Sequence, residues 1–171
     1  NLCSQVDSEI VLSSIESEIQ KKQVPIDLGD TPNAMAAIVG KAISIHGGLR
    51  LSSPQKSRFS AEFSSQGDNV VQVSITSGIP KRKVSTFSYN ESNIQNSISR
   101  ACDRMVRDVL GVQGFFSGKL CFLSSLSGKK EIFISDALMT SARPQTSFGK
   151  ITFNPSWNNQ GKGIFFTSNR Q

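Results

Sequence analysis

One histidine, one tryptophan, one tyrosine and three cysteines in 171 residues leave this chain short of reactive side chains. Cys3, Cys102 and Cys121 are odd in number, far apart and never in a C-x-x-C pair, so neither a redox motif nor a zinc knuckle is supported. Cys102 falls on the apolar face of a predicted helix and Cys121 in a strand-like run, and both read as buried thiols. A Cys102–Cys121 bridge stays open for an oxidising compartment, because geometry decides it. His46 stands in Ile-His-Gly-Gly with no acid or base beside it in sequence and reads as a strand-end or turn residue. There is no Gly-x-Ser-x-Gly elbow and no glycine-rich phosphate loop. Asp7, Glu9, Glu16 and Glu18 share a predicted helix with Lys21 and Lys22, which is dipole and solvation chemistry rather than a paired-carboxylate site. No apolar run approaches the roughly 18 residues of a membrane helix. The expectation is a non-enzyme with no catalytic, cofactor-binding or metal-ligating residue, no membrane span, and partner-binding residues that the sequence does not assign.

What is present is enough to fold. Eleven phenylalanines and 37% hydrophobic residues argue against disorder, and the length suits one domain plus part of another. The net charge of +6 is unevenly placed. Residues 1–113 hold 12 basic and 11 acidic groups; residues 114–171 hold 7 and 2. The C-terminal bases are spread one per loop, the spacing of solvated turns rather than of a nucleic-acid stripe. The chain begins at Asn1 rather than Met and reads as a processed or trimmed product. Leu2 before Cys3 suits a lipid anchor poorly.

Residues 7–23 predict a helix on the spacing of Ile10, Val11, Ile15 and Ile19. Gln23 to Pro32 reads as a break, with Pro25, Gly29 and Pro32. Residues 33–41 read as a short helix or as the lead into a strand, and the alternation of Ile43, Ile45, Leu49 and Leu51 predicts a strand over 42–51. Runs at 58–64, 70–76 and 83–89 alternate and are joined by short turns, which predicts an antiparallel meander. Pro80-Lys81-Arg82-Lys83-Val84, between two of them, reads as a charged turn guarding a strand edge rather than a nuclear signal. Asn90-Glu91-Ser92 is a glycosylation sequon without context. The clearest helix is 92–110, with Ser92 and Gln95 as a capping box and Gly111 as the stop. Together these predict helices packed on one side of an antiparallel or mixed sheet. Beyond Gly118 come short strands at 120–125, 131–136, 150–153 and 163–168, spaced as in a sandwich, barrel or propeller.

The C-terminal stretch is the specific one. Pro155, Trp157, Gly161, Ile164, Phe166, Ser168 and Arg170 form a Pro-x-Trp, a turn ending in Gly, then Ile-x-Phe-x-Ser-x-Arg. Trp157 offers an apolar plug between neighbouring blades, and Gly161 allows the positive φ of a tight turn. This pattern resembles the propeller repeat of the TolB family. Gly118 to Leu123 and Lys130 to Asp136 resemble the entry into that family's first blade, and Leu110-Gly111 followed by Gly114-Phe115-Phe116 resembles its domain junction. The likeness is good over about residues 95–171; residues 1–90 fit only in the order of elements. Two departures stand out: Asn158-Asn159-Gln160-Gly161 replaces the usual Ser-Pro-Asp-Gly, and no Gly follows closely after Asp136.

The resemblance implies an α+β chain: a TolB-like N-terminal α/β domain over 1–113 and a truncated β-propeller of about one blade over 114–171. It further implies a periplasmic, non-enzymatic scaffold of the Tol–Pal complex, linking inner membrane, peptidoglycan and outer membrane during cell division. Its implied partners are a TolA-like inner-membrane protein and a Pal-like lipoprotein, the latter bound poorly by so short a piece. Alternatives are a propeller-bearing peptidase whose site lies outside the chain, and a basic nucleic-acid-binding module in which Phe59, Phe63 and Phe87 of the meander stack bases. One blade cannot bury its own faces, so residues 119–171 are expected to be poorly ordered or packed against a neighbour.

Overall fold

The computed structural model describes residues 22–149 and 152–169. The helix expected over 7–23 lies almost wholly outside them, as do Cys3 and Arg170. The chain divides into two compact units, Asn1–Gly114 and Phe115–Gln171.

The meander anchors the first unit. Strands β3 (Phe59–Ser65), β4 (Val70–Ser77) and β5 (Arg82–Asn90) pair antiparallel, with Phe63 opposite Val73 and Val73 opposite Phe87. Alternation puts Ala61, Phe63, Val71, Val73 and Ile75 on one fully buried face. Two shorter strands, β1 (Val24–Asp27) and β2 (Leu49–Leu51), complete a five-stranded sheet in the order β2-β1-β3-β4-β5. β1 runs parallel to both neighbours, so the sheet is mixed. Helix α1 (Asn33–His46) crosses between β1 and β2, and helix α2 (Ile94–Leu110) follows β5. The two helices touch each other, α2 over β4 and β5 and α1 against β2. Ile98, Ala101, Cys102, Met105 and Val106 of α2 close the core. Its cap is one residue later than the capping box predicts: the Asn93 side chain accepts from Asn96 N at 2.8 Å, and Asn caps as well as Ser.

Two stretches differ from the alternation pattern. The helix α1 runs on through the expected start of a strand at 42, because Val39, Ala42 and Ile43 bury one stripe at helical spacing. Gly47, at φ 74°, ends it, and the strand begins only at Leu49. The expected break at Gln23–Pro32 contains β1, inside the sheet despite Pro25. Val24 N and the Ile26 carbonyl bond on the β2 side, to Gly48 O at 3.0 Å and from Ser52 N at 2.9 Å. The Pro25 carbonyl accepts from Arg58 N on the other side, so its missing donor faces the chain just before β3 starts, where no ladder bond is lost.

In the second unit, β6 (Lys119–Ser124), β7 (Glu131–Asp136) and β8 (Arg143–Pro144) form one antiparallel sheet, while β9 (Thr152–Trp157) and β10 (Ile164–Ser168) form a separate hairpin. The four strands expected as about one blade are thus shared between two sheets.

Candidate functional site

Three half-buried or buried carboxylates are the obvious places to seek chemistry, and each is taken up by hydrogen bonds within the fold. Asp27, at the end of β1, accepts from the hydroxyls of Ser57 and Ser60 and from Gly29 N. Burial raises its pKa, but these hydrogen bonds and the charge of Lys81 outweigh it and hold the carboxyl below its ordinary value. Glu131 accepts from the Thr146 hydroxyl and from Gly149 N at 2.8 Å, and these bonds keep it ionised. Asp136 accepts from Leu138 N, from Thr140 N and hydroxyl, and from the Ser141 hydroxyl, all within 3.1 Å. Burial works against its charge and is outweighed by those donors, so its pKa is also lowered. Charge-assisted bonds of this kind fix turns. The Asp136 knot explains the missing glycine: Met139 takes the left-handed conformation, φ 55°, inside the loop that the carboxylate closes.

The remaining candidates stay apart. His46, expected at a strand end or turn, is the last residue of α1; Gly48 N donates to its Nδ1 at 3.3 Å, and burial lowers the imidazole pKa. Cys102 and Cys121 are both free thiols; Cys102 is buried as expected and its thiol pKa is pushed up by burial and by Asp103, whereas Cys121, on a small sheet, is only half-buried. Among the described residues, no group of three or more His, Cys, Asp or Glu could hold a metal ion. No described helix is long and apolar enough to cross a membrane. Phe63 is buried and Phe87 is half-buried under the Arg104 guanidinium, 5.4 Å from its ring centre, so neither offers a free face to a base.

The motif residues do come together. Between the β6–β7–β8 sheet and the β9–β10 hairpin lies an open cleft of about 190 Å³, lined by Ile132, Ile134, Thr146, Trp157, Ile164 and Phe166. Trp157 stands opposite Ile164 in the hairpin ladder. The turn between them closes with Gly161 at φ 65°, where Gly161 N bonds Asn158 O and the Asn158 side chain accepts from Lys162 N, both at 2.9 Å. Asn158, at the place of the usual Ser, therefore closes the turn with its own side chain and carbonyl. Trp157 sits as a plug between two sheets, which is a packing role.

The junction motif has an equally physical basis. Gly111, at φ 73°, caps α2 with its N–H on Arg107 O. A Cβ on Gly114 would stand 2.5 Å from the Asp103 Cα, so the chain leaving α2 can fold back along the helix only with glycine there. Spacing alone marks both glycines, but only the second is explained by a tertiary approach.

No family model matches the chain. Curated relatives are found: the Tol-Pal system protein TolB of Desulfotalea psychrophila is 23% identical over 166 residues, 86% of this chain and 36% of that protein. TolB of Desulfosudis oleivorans is 27% identical over 74 residues, 43% of this chain and 17% of that protein. Among solved structures, TolB from Acinetobacter baumannii superposes with a TM-score of 0.70 at 14% identity, covering 84% of this chain and 43% of its own. The chain thus spans about a third of the length of the first relative, and its likeness is to one part of TolB.

Proposed function

We propose that the chain acts as part of a TolB-like, non-enzymatic periplasmic scaffold of a Tol–Pal complex. On this reading residues 1–113 are the N-terminal α/β domain, β6–β7–β8 is the first blade of a propeller, and β9–β10 opens the next. The observation that carries it is the alignment with a TolB along 86% of the chain. The placement of Trp157 between two sheets supports the propeller, since blades bury their faces against one another. These three carboxylates and the histidine are engaged in hydrogen bonds within the fold, which supports a binding role over catalysis. The partners are a TolA-like inner-membrane protein and a Pal-like lipoprotein, joined across the peptidoglycan during division. Because Pal binding by a propeller draws on loops of many blades, this stretch binds the TolA-like partner better than the Pal-like one. Co-precipitation of the 171-residue chain with each tagged partner tests this. Capture by the TolA-like protein and weak capture by the Pal-like one is expected; capture by neither sinks the reading.

A further inference from the structure

The β4–β5 turn of the N-terminal unit carries a large apolar side chain at an end of the sheet rich in bases. Ile79, at its apex, is 96% exposed, more than any other large apolar side chain among the described residues. Turn apices ordinarily take Gly, Asn, Asp or Ser, whose backbone or hydrogen-bonding habits suit the bend. An isoleucine offers neither. Lys81, Arg82 and Lys83 follow at once, all exposed. Arg82 lies opposite Ser77 and Lys83 opposite Thr76 in the ladder, so as consecutive strand residues they point to opposite sides of the tip. Phe59 is also opposite Ser77, which brings the exposed Arg58 and the Lys56 turn to the same end of the sheet. Asp27 faces this end too, but its oxygens accept from Ser57, Ser60 and Gly29, and one carboxylate leaves the five bases in excess.

Bases alone suit any polyanion, and an apolar apex alone suits any greasy pocket. The two together fit a surface that is anionic at its face and hydrocarbon just beneath. A nucleic acid would leave Ile79 in water, and of the meander's rings Phe63 is buried while Phe59 and Phe87 lie half-buried under the guanidinium groups of Arg58 and Arg104. We propose that this tip docks on an anionic lipid surface, Ile79 entering the boundary between headgroups and acyl chains while Lys81, Arg82 and Lys83 meet lipid phosphates, with Lys56 and Arg58 behind them. The site lies wholly in the N-terminal unit and is independent of the propeller reading.

Co-sedimentation of the 171-residue chain with vesicles tests it. Vesicles of phosphatidylcholine with phosphatidylglycerol should bind the chain, with affinity falling as salt rises, and phosphatidylcholine alone should not. Each base reversed should cost at least ~5-fold, so Lys81→Glu, Arg82→Glu and Lys83→Glu together should abolish binding. Ile79→Ser should weaken it about tenfold by removing the buried apolar group. All are exposed turn or edge positions, and an unchanged circular dichroism spectrum would establish that the variants fold. A single-stranded oligonucleotide is the second arm. Equal binding to neutral and anionic vesicles, or anionic binding unmoved by Ile79→Ser, overturns the proposal. Tight oligonucleotide binding without vesicle binding replaces it with a nucleic-acid site.

Discussion

The N-terminal unit covers its sheet with helices of its own, whereas the described residues of the C-terminal unit form strands without a helical layer. In the first, Phe63, Val71, Val73, Ile75 and Met105 are fully buried. In the second, Phe116, Ile132, Phe133 and Leu138 are buried, yet Phe165 is 71% exposed and Leu120 42%. Two- and three-stranded sheets cannot hide both faces, so apolar residues at alternating positions are left in contact with water. The difference teaches that the first unit buries a sheet face under its own helices, while the small sheets of the second leave apolar side chains exposed.

The largest expected contrast is between two phenylalanines. Phe63→Ala should cost about 4 kcal/mol, because it opens a cavity in the buried face of the meander. Phe165→Ala should stay within about 0.5 kcal/mol. Urea unfolding of both variants measures it, and a comparable loss at Phe165 would mean the second unit has a core of its own. Next is Gly114→Ala, which forces a methyl into the Asp103 backbone and should cost about 2 kcal/mol in the same assay.

Acid should then separate the units. Asp27, Glu131 and Asp136 all have folded pKa values below their ordinary ones. A depressed carboxyl contributes stability that is present above its unfolded pKa and lost as pH falls through the folded value, so the loss comes below about pH 4. Two of the three lie in the second unit, whose single tryptophan, Trp157, reports on it alone. The Trp157 fluorescence melt should fall faster below that pH than the far-UV melt, and Asp136→Asn should flatten its dependence. The smallest effect is a gain: Met139→Gly relieves a left-handed φ and should stabilise by about 0.5 kcal/mol after glycine's own entropy cost.

Much of this was legible in residue pattern. The meander and α2 follow from strict periods of two and 3.6, because each buries one face only. The Trp157–Gly161–Ile164–Phe166 pattern reads as a repeat in sequence, and three of its residues line one cleft. Other elements were not legible. β1 hides behind Pro25, whose cost depends on which side its missing donor faces. The end of α1 hides because Ile43 and Ile45 satisfy a strand alternation as well as Val39, Ala42 and Ile43 satisfy a helix, and only packing chooses. β8 is two residues long and has no pattern to read.

The amino-acid order by itself determined which faces are apolar, where the glycine stops fall and that reactive side chains are scarce, since these depend on local spacing and composition. Tertiary structure alone decided that Pro25 sits inside a sheet, that Gly114 is required by the Asp103 backbone, and that Lys56 and Arg58 share the end of the sheet with the β4–β5 turn. Each of those depends on what a distant segment places beside the residue, and no local period records it.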